Sequence, residues 1–341
     1  MGAESRTKKG KKTRIIIILI AAFLFSIAGI IWMNMFRYTN PLGDYGVPYP
    51  FTYNGTVPRD FDIDGRTYSY NTDLVNILFI GYDELGERGK QGIGYQADTL
   101  LLAVFNKKTK DISIISIPRD SVTDFAVFDA YGNYAFVESG PVSLSYAYGE
   151  NDKIRNDLTM AAVSNLMYQI PLNRYIAMNI DSIGPINDAV GGVTLTLDAD
   201  FTTCIPEMEF SMCNPEMEEG KVYTLLGDDA VMYVRERQLP GMSGKDADRM
   251  KRQKQYVLAF VDTLKTASND DPGVFSKLLS VVSGNVQTNL KSVELLFLLY
   301  SMRGNSFNLG AFEEVPGYMV DFHYMIDEDS LKQMIVDIFF I

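Results

Sequence analysis

Six Lys or Arg side chains crowd the stretch YVRERQLPGMSGKDADRMKRQ, residues 233 to 253: Arg235, Arg237, Lys245, Arg249, Lys251 and Arg252. The whole chain carries a formal net charge of −12, so these cations form a local concentration against an acidic background. A guanidinium presents a planar fork of N–H donors that matches phosphate and carboxylate oxygens. One basic mouth on an acidic surface focuses an anionic ligand. Two further residues suit the same chemistry: Arg119 directly follows an apolar run in SIPRD, and Asp98 opens the run DTLLLAVFN. Together they set acid and arginine at the ends of elements, where ligands of α/β sheets bind.

Other chemistries lack their residues. The one histidine, His323, is distant in sequence from the cluster, which removes support for Ser-His-Asp or Cys-His catalysis and leaves His323 as structural. Gly86, Gly89, Gly92 and Gly94 precede a strand and not a helix, so they are no nucleotide fingerprint. The acidic balance disfavours bare nucleic acid, whose binding needs phosphate neutralisation by a basic surface. Cys204 and Cys213 lie nine apart with no third Cys or His beside them, which predicts a local disulfide and not a metal site.

The elements that must position the arginines follow from periodicity. LVNILFIGYDE reads as a buried strand closed by Gly81. The runs 99 to 105 and 112 to 117, around the polar turn NKKTKD, read as a hairpin. Next come a strand at 175 to 180, a helix at 181 to 190 stopped by Gly191-Gly192, and a strand at 193 to 197. LLGDDAVMYVRER reads as a helix or helix end in which Leu226, Ala230 and Val234 repeat at spacing four. A second helix starts near Asp246 and carries Arg249, Arg252 or Gln253, Tyr256 and Phe260 on one face. Arginines in its first turn oppose the helix dipole, a conflict that an anion bound at the helix start would remove. The alternation predicts an α/β domain with helices covering a central sheet.

Residues 1 to 14 hold six basic side chains against Glu4 and form a cytoplasmic tail. The nineteen residues 15 to 33 carry no charge; as a helix they span about 29 Å, the thickness of a hydrocarbon core. They read as an N-terminal transmembrane helix, 15 to 36 with its flank, because the run is longer than a signal peptide core and no small-x-small site follows it. Trp32 suits the outer interface. Residues 37 to 72, rich in Tyr, Pro, Gly and Asn, read as an extracellular stalk or small cap, and 73 to 341 as the extracellular folded domain. The expected location is the cell membrane, single-pass.

The motifs NILFIGYD, QADTLLLAVFN, ISIISIPRD, AYGE, DAVGGV, LLGDDAVMYVRER and DADRMKRQ follow one another across roughly residues 73 to 260. In that order the sequence resembles the LytR-CpsA-Psr family of membrane-anchored cell-wall transferases. The resemblance implies an α-β-α sandwich with a central mixed sheet and a hydrophobic tunnel for a polyprenyl diphosphate lipid. It implies arginines at the tunnel mouth that grip the diphosphate with a divalent ion, Mg²⁺ or Mn²⁺. The implied reaction moves a phosphoglycan from the lipid to peptidoglycan; a pyrophosphatase, or a lipid-binding regulatory protein without turnover, is the alternative. Carried over by motif, Asp98 and Asp83 look like the metal pair, and Arg119, Arg235 and Arg237 like diphosphate clamps. Asp246, Arg249 and Gln253 match the family's helix start, with Asp246 the weak base for the acceptor hydroxyl and Arg252 structural. Ala97 stands where the family has serine, and Pro141 and Ser143 where it tends to have Lys and Asn. The partners implied are the lipid-linked glycan, peptidoglycan and the membrane, with no nucleic acid.

Overall fold

The computed structural model describes residues 35–43, 45–48, 60–63, 65–82, 96–204, 213–236, 239, 246–301 and 308–341. The predicted membrane span at 15 to 33 lies outside these residues; among the described ones no helix is long and apolar enough to cross a membrane. The described residues from Asn40 onward belong to one compact unit.

After the antiparallel pair of β1 (Asp60–Ile63) and β2 (Arg66–Ser69), that unit is built on a six-stranded mixed sheet in the order β11 (Val286–Thr288), β8 (Arg174–Asn179), β3 (Leu74–Tyr82), β4 (Ala97–Asn106), β5 (Asp111–Ile117), β12 (Asn308–Glu314). Strand β3 (Leu74–Tyr82) is the apolar run LVNILFIGY, buried at nearly every position as a strand covered on both faces must be. It pairs antiparallel with β4 (Ala97–Asn106), and β4 turns at Lys107-Lys108-Thr109-Lys110 into antiparallel β5 (Asp111–Ile117). This is the hairpin the sequence predicts. On the other side β3 pairs in parallel with β8 (Arg174–Asn179), whose outer edge takes the short antiparallel β11 (Val286–Thr288). The far edge is β12 (Asn308–Glu314), parallel to β5.

Helices cover both faces. Leu78 and Ile80 of β3, Leu100 and Leu102 of β4 and Ile115 of β5 face a buried cluster with α1 (Asp152–Leu166) and the C-terminal α7 (Glu328–Phe339). Asn151 caps α1 through its side-chain oxygen, which accepts the Ile154 N–H at 3.1 Å. The opposite face meets α4 (Asp246–Asp270) and α6 (Ser292–Ser301) through Thr99, Phe105 and Arg174. The α-β-α layering is thus present in the described residues.

A second core lies between the hairpin of β9 (Val193–Thr196) and β10 (Val222–Leu225), the short helix α3 (Asp228–Arg235) and α4. The helix α2 (Ile183–Ala189) ends at Gly191 and Gly192 as expected, with φ of 94° and 87°. At Gly192 a side chain would also meet the Leu225 carbonyl oxygen at 2.9 Å. Cys204 and Cys213 are joined, with Cα atoms 4.9 Å apart, and tie the β9–β10 connection at its neck. Leu226 departs from its expected place: it precedes α3 and is exposed, whereas Ala230 and Val234 are buried.

Within the segment read as a stalk or cap, described residues from Asn40 onward pack into the compact unit. Leu42 and Val47 pack with Ala126 and Phe128 of β6 (Val122–Phe128), and Tyr70 enters the central cluster.

Candidate functional site

Antiparallel pairing fixes where Asp98 and Arg119 meet. Leu100 of β4 faces Ile117 of β5, and two further steps along the same register bring Asp98 opposite Arg119. Arg119 Nη1 donates to Asp98 Oδ1. Both side chains are partly exposed, 25% and 30%, so the pair remains accessible to a ligand. On its other flank Arg119 Nε lies 3.7 Å from Asp120 Oδ2, and the Arg119 carbonyl accepts the Ser143 N–H at 3.1 Å. A backbone irregularity aims the carboxylate. Thr99 faces Gly81 and Ala97 faces Tyr82, which leaves Asp98 as the extra residue of a β-bulge, a device that breaks strand alternation and redirects a side chain.

The basic stretch reaches this point through Gln253. Its Nε2 lies 3.3 Å from Thr99 Oγ1 and 3.3 Å from the Val234 carbonyl. Thr99 is the neighbour of Asp98, Val234 is the neighbour of Arg235, and Gln253 stands one helical turn after Arg249. One side chain therefore ties β4, α3 and α4 together at the positions beside three predicted site residues. Arg249 is buried at 7% exposure and Arg235, the last residue of α3, is half-buried.

Arg252 has another task. Fully buried, it donates from Nε to the Tyr233 carbonyl at 3.0 Å and from Nη2 to the Glu236 carbonyl, and its guanidinium lies 5.8 Å from the Phe201 ring centroid. Those two carbonyls are orphans of the α3 C-terminus, so Arg252 caps the helix that presents Arg235. Burial presses its guanidinium below the ordinary value, opposed chiefly by the Asp198 charge. The Tyr233 hydroxyl lies 3.1 Å from Asp198 Oδ1 and 2.7 Å from Gln255 Oε1. Burial, then the Asp198 charge, raise that hydroxyl above its usual range.

Asp246 is the first residue of α4, as expected. Asp83 directly follows the last residue of β3, and Arg237 follows Glu236; both lie outside the described residues. His323 opens β14 (His323–Ile326) and is exposed. Thr99 and Asp120 carry no functional signal of their own in the sequence. Each is a neighbour in sequence of a named site residue, and only the pairing of distant elements shows what it does. Among the described residues no three His, Cys, Asp or Glu side chains form a metal cage. Asp98 with Asp83 would make a sparse set of hard oxygen donors, which suits a magnesium-type ion completed by phosphate oxygens.

Residues 57–338 match the model of the LytR_cpsA_psr family. The polyisoprenyl-teichoic acid–peptidoglycan teichoic acid transferase TagV of Bacillus subtilis (strain 168) is 28% identical over 223 residues, 65% of this chain and 51% of TagV. TagU of Bacillus mycoides (strain KBAB4), a transferase of the same description, is 30% identical over 235 residues, 68% of this chain and 66% of TagU. The chain thus spans about half the length of the first relative and about two-thirds of the second. The crystal structure of B. subtilis TagV shares the fold with a TM-score of 0.56 at 22% identity, covering 78% of this chain and 97% of that one.

Proposed function

The chain belongs to the LytR_cpsA_psr family, and from that premise we propose that it is a membrane-anchored phosphotransferase. Its substrate is a phosphoglycan on a polyprenyl diphosphate lipid and its acceptor a peptidoglycan hydroxyl. The observation that carries the proposal is the meeting of the Asp98–Arg119 pair with the end of α3 and the start of α4, through the Gln253 bridge. Two relatives carry a lipid-to-peptidoglycan transfer in their names.

A diphosphate crowds negative charge into a small volume, and Arg119, Arg235, Arg237 and Arg249 would offset it with paired N–H donors. Transfer at phosphorus needs positioning and electrostatic stabilisation more than covalent chemistry. As the acceptor oxygen attacks the sugar-linked phosphorus, Asp246 takes its proton. The bond from that phosphorus to the bridging oxygen breaks, and polyprenyl monophosphate leaves. Asp98 and Asp83 would hold the divalent ion, Mg²⁺ or Mn²⁺, which when bound neutralises charge on the phosphate oxygens. Residues 15 to 33 keep the site at the outer membrane face, where the lipid resides.

The full-length chain in vesicles containing a polyprenyl diphosphate glycan, supplied with peptidoglycan and Mg²⁺, tests the reading. Glycan on the wall polymer together with released polyprenyl monophosphate is the expected result. Monophosphate without glycan on the wall would make the protein a pyrophosphatase, and neither product would make it a lipid-binding protein. Arg119→Ala should lower transfer roughly tenfold to a hundredfold, the value of one charge-assisted contact to phosphate, with its melting temperature little changed.

A further inference from the structure

Two hairpins beside Arg119 expose apolar side chains. One joins β6 to β7 (Tyr134–Pro141) and the other joins β13 (Gly317–Val320) to β14. They are neighbours: Ser121 bridges to Tyr324, and the Tyr324 N–H donates to the Asp120 carbonyl at 2.8 Å. Asp120 in turn flanks Arg119. Each tip is built to display an aromatic ring. At the first, the Asp129 carboxylate accepts the N–H groups of Tyr131 and Asn133 at 2.9 Å, which fixes a turn holding Tyr131 at 85% exposure. At the second, a two-residue loop with Asp321 at a φ of 53° holds Phe322 at 87% exposure. Phe136, Val137, Tyr318 and Met319 extend the exposed surface. Monomeric soluble proteins rarely leave such surface uncovered.

We propose that these two hairpins seat in the headgroup region of a bilayer and hold the Arg119 mouth at the depth of a lipid phosphate. The occupant follows from the chain itself. Leu42 and Val47 pack onto β6, and Leu42 follows Met33, the end of the uncharged run, by only nine positions. Fully extended, nine residues reach about 30 Å, so the β6–β7 hairpin is tethered close to wherever that run ends. Tyr, with an apolar body and a polar tip, is a residue of the membrane interface, and Phe supplies the apolar face of interfacial segments. Neither hairpin contains a Lys or Arg. Seating is therefore driven by apolar burial and not by attraction to anionic lipid, and it tolerates salt. The proposal rests on the reading of residues 15 to 33 as a bilayer span.

Single environment-sensitive labels decide it, since both native cysteines are bridged. Full-length Tyr131→Cys, Phe322→Cys and Asn269→Cys chains carry a nitrobenzoxadiazole label and are reconstituted in phosphatidylcholine vesicles with a spin-labelled phosphatidylcholine quencher. Asn269 is the control, exposed near the far end of α4, about 35 Å from its start at 1.5 Å per residue. Labels at 131 and 322 should shift to the blue and be quenched, in low and in high salt, while the label at 269 is not. Equal, weak quenching at all three sites, in a chain that still resists alkaline extraction, would overturn the docking and leave the membrane span standing. Release of the chain on alkaline extraction would overturn both.

Discussion

Arg249 and Arg252 lie three residues apart on α4 and are both buried, yet chemistry divides them. Arg252 caps the carbonyls of Tyr233 and Glu236, so Arg252→Ala should cost about 2 to 4 kcal/mol, because it strands two buried acceptors and leaves a cavity. Arg249→Ala should instead abolish glycan transfer with a smaller loss of stability. Urea midpoints and transfer rates on the two variants separate the roles; a normal midpoint for Arg252→Ala would refute the capping role. Asp98 admits a finer test. Asp98→Asn keeps the shape of the site but removes the charge, so lipid binding should persist while turnover and its response to Mg²⁺ are lost. Full wild-type activity in excess chelator, or an unchanged Mg²⁺ response in the variant, defeats the metal role. Residue types and their places at strand and helix ends made Arg119, Asp98 and the arginine helix legible in the sequence. The bulge that redirects Asp98 was not legible, because it depends on which residue of β3 faces which residue of β4.

At the scale of elements, contiguous patterns could be read and distant pairings could not. Strands β3, β4, β5 and β8 are apolar runs bounded by turn residues, and α2 stops at two glycines in left-handed backbone. By contrast β12 joins the sheet beside β5 from nearly two hundred residues away, and no local signal predicts a parallel edge partner. The same holds for the buried ion pair between the first residue of β8 and the first turn of α6. Arg174 Nε and Nη2 donate to the two Glu294 oxygens at 2.8 and 2.5 Å, with 4% and 0% of the side chains exposed. Glu294 also accepts the Lys291 N–H at 2.9 Å, so it anchors the start of α6 as well. Removing one partner of such a pair typically costs about 3 to 5 kcal/mol, whereas replacing both by apolar groups of similar size costs far less. Arg174→Ala should fall in that range, and the double variant Arg174→Met with Glu294→Met should recover most of the loss. Equal stability of wild type and Arg174→Ala in urea titration would show that the pair contributes nothing net.

For the molecule as a whole, four of the buried tyrosines set an alkaline limit. Tyr70 and Tyr146 lie in the cluster beneath the central sheet, and Tyr233 and Tyr256 in the cluster of β9, β10, α3 and α4. Burial raises all four hydroxyls above the ordinary value of 10.0; among the described residues the Tyr146 hydroxyl has no hydrogen-bond partner, and the Tyr70 hydroxyl accepts an N–H of the Asn76 amide at 2.9 Å. The sign follows from proton binding. Above pH 10 the unfolded chain loses these protons while the native state keeps them, so stability is undiminished below pH 10 and falls as pH rises beyond it. Each group contributes up to about 1.4 kcal/mol per pH unit, or roughly 5 kcal/mol per unit for the four. A native state worth about 5 to 15 kcal/mol then unfolds within roughly one to three units. The Gln253 bond to Thr99 links α4, a wall of the second cluster, to the central sheet. Tyrosinate absorbance of these buried residues should therefore appear together with loss of near-ultraviolet circular dichroism, in one cooperative step. Two separated steps would show that the clusters unfold independently, and ionisation of these tyrosines near pH 10 with the fold intact would show that their hydroxyls reach water.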